Sequence, residues 1–192
     1  MENITWDWAL FDILNFAGPA WLDSTMRAIS GIAMWIPLYL LIIYMVWRRY
    51  SWRGIIALIV AMGISIALAD LTAGIFKHSG PLANLWAEFP ARPRPMFTEG
   101  LEDVHAPSLK HGRYGTVSAH ASTIVAISIL SIVAVGRRWF TWIMCLIALL
   151  ICYSRIYLAC HFPQDILLGM VIGILSALAG VALFKKIAIK RE

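Results

Sequence analysis

Five runs of about 20 mostly apolar residues dominate this chain, and each is long enough for an α-helix to cross the hydrocarbon layer of a bilayer. They lie at about Thr25–Trp47, Gly54–Phe76, Val117–Val135, Trp139–Leu158 and Pro163–Phe184. Lipid offers no partners to backbone N–H and C=O groups, so such runs must be helical. Composition agrees, because 60% of the 192 residues are hydrophobic and 14% are charged, whereas soluble domains carry about 25% charged residues. The expected fold is all-α: an integral membrane bundle of five transmembrane helices, forming one domain over residues 1–192.

Residues 4–22 are apolar but broken at Gly18-Pro19, too short to span. Trp6, Trp8, Phe11, Leu14 and Trp21, interleaved with Asp7 and Asp12, read as an interfacial amphipathic helix preceding the bundle. Residues 1–12 lack the basic start of a cleavable signal, so the first span is expected to direct insertion. Cys145, Cys152 and Cys160 fall in or beside one apolar run, where three free, buried thiols are expected.

Basic residues set the orientation. Arg48, Arg49 and Arg53, then Arg137 and Arg138, then Lys185, Lys186, Lys190 and Arg191 fall on one side of a five-span chain. The positive-inside rule makes that side cytoplasmic, with the N-terminus outside. The net charge of +5 thus reflects loops beside anionic lipid headgroups rather than a nucleic-acid partner. A loop of about 78–115 lies outside and holds Arg92, Arg94, Lys110 and Arg113 against the rule. Translocating those charges is costly, which suggests a use for them there.

Odd-and-even counting of spans brings Lys77, Arg92, Arg94, His120, Arg155, His161 and Asp165 to that same outer face. Ionisable groups at membrane depth are expensive and usually functional. Their balance is cationic, and several cations around one small anion point to phosphate. Asp165, four residues after His161, can fold back to one ring nitrogen and leave the other free to attack. A protonated His120 can supply the departing oxygen with its proton, while the cations hold the equatorial oxygens. Zinc bound by His120, His161 and Asp165 is the chemical alternative. The neighbouring cations oppose it, and no compact motif such as HExxH is present. Asp70 is expected as a buried charge two turns before Lys77, and His78, His105 and His111 as further candidates for the site.

These residues form a pattern that resembles the type-2 phosphatidic acid phosphatase superfamily of lipid phosphate phosphatases, which shares its core with vanadium haloperoxidases. Its third motif, Ser-Arg-x5-His-x3-Asp, is complete from Ser154-Arg155 through His161 to Asp165. The second, Pro-Ser-Gly-His, stands as Val117-Ser118-Ala119-His120. The first, Lys-x6-Arg-Pro, is stretched: Lys77 and Arg94-Pro95 are about ten residues further apart than in the motif, and Ala87 holds the ungapped lysine position. Arg92-Pro93 rivals Arg94-Pro95; Arg94 is preferred because related sequences read Arg-x-Arg-Pro with the second arginine in the motif.

The resemblance implies a metal-free phosphatase without cofactor. His161 is then the nucleophile and forms a phosphohistidine, Asp165 orients it, and His120 protonates the leaving group. Lys77, Arg94, Ser118 and Arg155 bind phosphate, with backbone N–H groups near Ala119. The apolar spans set the chain apart from the soluble haloperoxidases. The expected substrates are lipid phosphates at the periplasmic face of a bacterial inner membrane: lipid A, undecaprenyl diphosphate, phosphatidylglycerol phosphate or phosphatidic acid. Transfer of the phosphoryl group to an acceptor, or non-catalytic lipid-phosphate binding, are the alternatives.

Overall fold

The computed structural model describes residues 5–101, 103–107 and 112–188. His111 and Lys110 of the loop at about 78–115, and Lys190 and Arg191 of the tail, lie outside the described residues. The described chain is helical: α1 Thr5–Leu14, α2 Ala20–Ser30, α3 Ile36–Phe76, α4 Ala119–Val135, α5 Arg138–Tyr157 and α6 Pro163–Ile187, with 3-10 turns at Ala33–Trp35 and Pro95–Phe97. An isolated antiparallel bridge joins Pro93 to Tyr114.

The first expected span is displaced. Residues 25–30 belong to α2, which ends where Gly31 turns to extended backbone (φ −88°, ψ 158°), and α3 begins beside a proline in its first turn. That proline lacks the N–H a continuing helix would need, so it starts a new helix rather than extending the old one. α3 then holds most of the first expected span and all of the second. As one straight rod its 41 residues would reach about 62 Å, roughly twice the hydrocarbon thickness. It is instead broken at Ser51 (φ 60°, ψ −159°). A Cβ placed on Gly54 would lie 3.4 Å from Val46 Cγ1, whereas eight residues of straight helix separate such groups by about 12 Å. The chain therefore doubles back at Ser51.

α4 packs chiefly on α6 and α3, and α5 closes against α4 and α2. The α4–α6 seam is made by small residues. A Cβ on Gly169 would sit 2.5 Å from Ser118 O, and one on Gly173 would sit 2.4 Å from Ser122 O. In lipid, where apolar burial gives helices little reason to associate, close backbone approach of this kind supplies the contact. Lipid-facing side chains such as Leu40, Ile59, Leu149, Leu175 and Leu178 are exposed. The long apolar helices make this a multi-pass membrane protein.

Two expectations about burial are corrected. Cys145 is exposed, while Cys152 and Cys160 are buried; all three are free. Asp70 is exposed on α3 rather than buried, because its side of the helix is turned away from α4 and α6.

Candidate active site

The site forms where the turn from α5 to α6 meets the two ends of the loop between α3 and α4. Ala159 adopts a left-handed conformation (φ 53°), and the N–H groups of Cys160 and His161 both return to the carbonyl of Arg155, at 2.9 and 3.2 Å. This tight reversal buries His161 to 2% exposure. Pro163 then opens α6, and Asp165 Oδ2 reaches back to the Phe162 N–H at 2.9 Å. A carboxylate in that place satisfies a helix-start donor and complements the helix dipole.

The loop ends are tied together around this turn. Arg94 N–H donates to Arg113 O, and Gly115 N–H donates to Arg92 O, each at 2.9 Å. The pairing brings the Gly115 carbonyl within 2.8 Å of His161 Nδ1 and Arg94 Nη1 within 3.0 Å of His161 Nε2. Arginine can donate but not accept, and a carbonyl can accept but not donate. His161 is therefore neutral, protonated at Nδ1, with the Nε2 lone pair facing Arg94. Burial, then the charges of Arg94 and Arg155, hold its pKa well below the ordinary histidine value; the Gly115 bond opposes them and Lys77 adds to them.

Asp165 takes a different part from the one expected. Its Oδ2 is 3.6 Å from His161 Nδ1, too far for a hydrogen bond, and Gly115 O is the atom that fixes the tautomer. Asp165 holds the turn through its bond to the Phe162 N–H. Gly115 itself was not singled out from the sequence. A Cβ there would press on Arg94 Cγ at 2.8 Å, so a small residue is needed for the close approach. No local pattern marks that glycine in advance.

Arg94, Arg155 and Lys77 act electrostatically on His161. Arg94 is pinned by Nε to Gly112 O at 2.7 Å and by Nη1 to Cys160 O at 2.8 Å. Arg155, in the last turn of α5, is buried; its Nη1 donates to Ser30 Oγ, while its Nε has no partner among the described residues. Lys77 sits at the end of α3. Burial and then the charge of Arg94 pull its pKa down; Asp70 opposes this and Arg155 adds to it.

Ser118 caps α4, accepting the Ala121 N–H at 3.3 Å, and its own N–H donates to Asp165 O at 3.0 Å. That bond sets the start of α4, with Ala119 and the exposed His120 in its first turn, beside the His161 turn.

Arg92 is directed elsewhere. Its Nη1 donates to Asp7 Oδ2 at 2.6 Å, its guanidinium lies 3.6 Å above the Phe162 ring, and Asp165 Oδ1 is 3.8 Å away. Asp7, which the sequence marked only as the polar side of an amphipathic helix, is fully buried and also accepts the Gln164 N–H at 2.8 Å. Of the other histidines, His105 bonds Asp23 at 2.8 Å and packs on Tyr157, and His78 packs on Tyr114. Among the described residues, no three His, Cys, Asp or Glu side chains come together as a metal-binding group.

The model of one protein family, the PAP2 superfamily, matches residues 59–188. The chain belongs to the PAP2 superfamily. The match takes in α4–α6 and all three motifs. Among curated relatives, a lipid A 4'-phosphatase of Bacteroides thetaiotaomicron is 28% identical, over 81% of this chain and 66% of its own length. The chain thus spans a little under two thirds of that PAP2 relative. An undecaprenyl-diphosphatase of Sulfolobus acidocaldarius is 25% identical, over 90% of this chain and 75% of its own. In fold, the chain is similar to the crystal structure of Aquifex aeolicus LpxE, with a TM-score of 0.64 at 22% identity, covering 96% of this chain and 98% of that one. It is equally similar to a transmembrane PAP2 type phosphatidylglycerolphosphate phosphatase from Bacillus subtilis, with a TM-score of 0.65 at 21% identity, covering 97% and 88%.

Proposed function

We propose that this PAP2 protein is a membrane lipid phosphatase that hydrolyses a phosphomonoester or diphosphate of a lipid through a phosphohistidine, without a metal ion. The observation that carries this reading is the state of His161: buried, neutral, protonated at Nδ1, with its Nε2 lone pair among Arg94, Arg155 and Lys77. Membership of the superfamily and the names of the relatives support it.

In the proposed reaction a substrate phosphate takes over the Arg94 hydrogen bond now held by Nε2. Nε2 attacks phosphorus; an N–P bond forms as the P–O bond to the lipid breaks. The departing oxygen takes its proton from His120. Water then attacks phosphorus, gives its proton back to His120, and the N–P bond breaks to release phosphate. Arg94, Lys77 and the unpartnered Nε of Arg155 neutralise the phosphoryl oxygens. The N-terminal end of α4, which opens at Ala119, favours an anion through its helix dipole. Ser118 holds that helix start in place.

The topology that fits is five crossings, two of them within α3, with α1 and α2 at the interface and the N-terminus outside. The C-terminus is then cytoplasmic and the site faces the periplasm of a bacterial inner membrane. Lipid A and undecaprenyl diphosphate lead the candidate substrates, ahead of phosphatidylglycerol phosphate and phosphatidic acid, because relatives carry the first two names.

The test is phosphate release by purified protein in detergent from each of the four lipids, with EDTA present. Release from one lipid, lost by about 10⁴-fold in His161→Ala while the protein stays folded, is expected. Activity abolished by EDTA and restored by metal would overturn the metal-free mechanism. Silence on all four lipids would overturn the hydrolase reading for them.

A further inference from the structure

The end of α4 remote from Ser118 carries a second polar cavity. It is half open, with a volume of about 580 Å³, and is lined by Tyr44, Met45, Arg48, Arg49, Val135, Gly136 and Arg137. Arg49 is committed to the fold: its Nη1 donates to Val135 O at 2.6 Å and Ala134 O at 3.3 Å, closing the last turn of α4. Gly136 (φ 62°) leaves room for it, since a Cβ there would overlap the guanidinium.

Arg48 and Arg137 have no carboxylate at ion-pair distance among the described residues. Arg48 makes a long contact, 3.4 Å, to Tyr44 Oη. Exposed Tyr44, Trp47, Trp139 and Trp142 stand nearby in sequence on α3 and α5, the residues that mark the headgroup layer. Three guanidiniums line this pocket, none with a carboxylate at ion-pair distance among the described residues.

We infer that this cavity binds the phosphate headgroup of an anionic phospholipid, apart from the His161 site and independently of what that site catalyses. The experiment uses full-length protein purified in detergent, exposed to phosphatidylglycerol, phosphatidylcholine or inorganic phosphate, with retained lipid counted by native mass spectrometry. Phosphatidylglycerol is expected to be retained over phosphatidylcholine and to raise the thermal midpoint. The double variant Arg48→Gln/Arg137→Gln should lose most of both effects while its phosphate release stays within twofold of wild type. Arg53→Gln, a cation on the same side but outside the lining, should retain the lipid. Equal retention by the double variant, equal loss in Arg53→Gln, or the same midpoint shift from inorganic phosphate as from the lipid would each overturn the assignment.

A separate observation concerns Asp7, fully buried on α1. Its two oxygens divide between Arg92 Nη1 (2.6 Å) and the N–H of Gln164 in the first turn of α6 (2.8 Å). Arg92 in turn covers the Phe162 ring, stands 3.8 Å from Asp165, and shares its backbone with Gly115 and Thr116. The residues that follow His161, and Gly115 through Arg92, are thus held from α1.

We propose that Asp7 and Arg92 are positioning residues for His161, a role that rests on the phosphatase reading. Asp7→Asn and Arg92→Gln should each lower kcat about tenfold, the size typical of an outer partner of a reacting group, with KM within twofold. The double variant should fall no further than the worse single. Thermal unfolding of each variant separates loss of fold from loss of rate. An unchanged kcat in a folded Asp7→Asn, additive losses in the double variant, or a raised KM with kcat intact in Arg92→Gln would overturn the role. A silent wild type would instead overturn the phosphatase reading and this role with it.

Discussion

The N-terminal helices and the α3–α6 bundle are held by different means. α1 and α2 bury Phe11, Met26 and Ile29 against α5 and Phe162, and add polar groups with unique partners. Asn15 Nδ2 donates to the carbonyls of Tyr157 (2.8 Å), His105 (2.9 Å) and Ile156 (3.2 Å), and its Oδ1 accepts the His105 N–H at 2.9 Å. Asp23 accepts from Tyr157 Oη and His105 Nε2 at 2.7 and 2.8 Å. The bundle instead meets at Gly169, Gly173 and Gly180, pressed against Ser118, Ser122 and Ser65. An apolar side chain gains little by exchanging lipid for protein, so within the bilayer position comes from close packing. At α1 and α2 it also comes from hydrogen bonds that leave buried carbonyls unsatisfied if lost.

The first way to break this contrast is Gly169→Leu. Its Cβ would fall 2.5 Å from Ser118 O and 3.0 Å from Ala121 Cβ, both on α4. Overpacking of this kind costs about 1–3 kcal/mol and sometimes more. Because Ser118 also bonds Asp165, phosphate release should fall together with thermal stability in detergent. Stability unchanged from wild type would show that the α4–α6 seam is not set by close approach. On the other side, Asn15→Ala should cost about 1–3 kcal/mol and loosen α1 while sparing the bundle. Hydrogen exchange should rise over residues 5–30 and around His105, not over α4 and α6. Uniform exchange would mean that the two regions form one cooperative unit.

The same contrast explains what could be read from the sequence. Apolar runs of spanning length are local, and they place α4, α5, α6 and both halves of α3. The compact third motif is local too, so Arg155, His161 and Asp165 were legible together. Asp7 and Gly115 were not, because their partners Arg92 and His161 are distant in sequence: the amphipathic pattern marked Asp7 only as a polar side, and Gly115 sits in no motif. The same limit misassigned residues 25–30. Apolarity continues through Gly31, while the break depends on a glycine and a proline whose effect is conformational. Arg92 looked like a phosphate ligand by charge alone; its carboxylate partner, Asp7, lies far away in sequence on α1.

Gly115→Ala joins the two regimes at the site, because it is a packing change that acts through a hydrogen bond. The added methyl group meets Arg94 Cγ at 2.8 Å and lies 3.4 Å from His161 Nδ1. Misplacement of a nucleophile by a fraction of an ångström is expected to reduce kcat about tenfold or more, with little change in thermal stability. A folded variant with wild-type kcat would remove Gly115 from the role of fixing the tautomer.

The smallest expected effect is a shift in pH dependence. His161 has its pKa depressed well below 6.5, so Nε2 stays unprotonated as pH falls through 6.5, and kcat/KM should show no His161 limb there. For stability the sign is the same. The unfolded chain takes up a proton near pH 6.5 that the buried ring refuses, so this group's contribution is present above that pH and declines below it. Lys77 sets the other side. Its pKa is depressed from 10.5 by burial and by Arg94, so it loses its charge, and with it phosphate attraction, at a lower pH than a free lysine would. Lys77→Arg keeps the charge through that range. It should move the alkaline limb of kcat/KM upward while altering the plateau by only a few-fold. An alkaline limb left in place would mean that another group, not Lys77, gates phosphate binding at high pH.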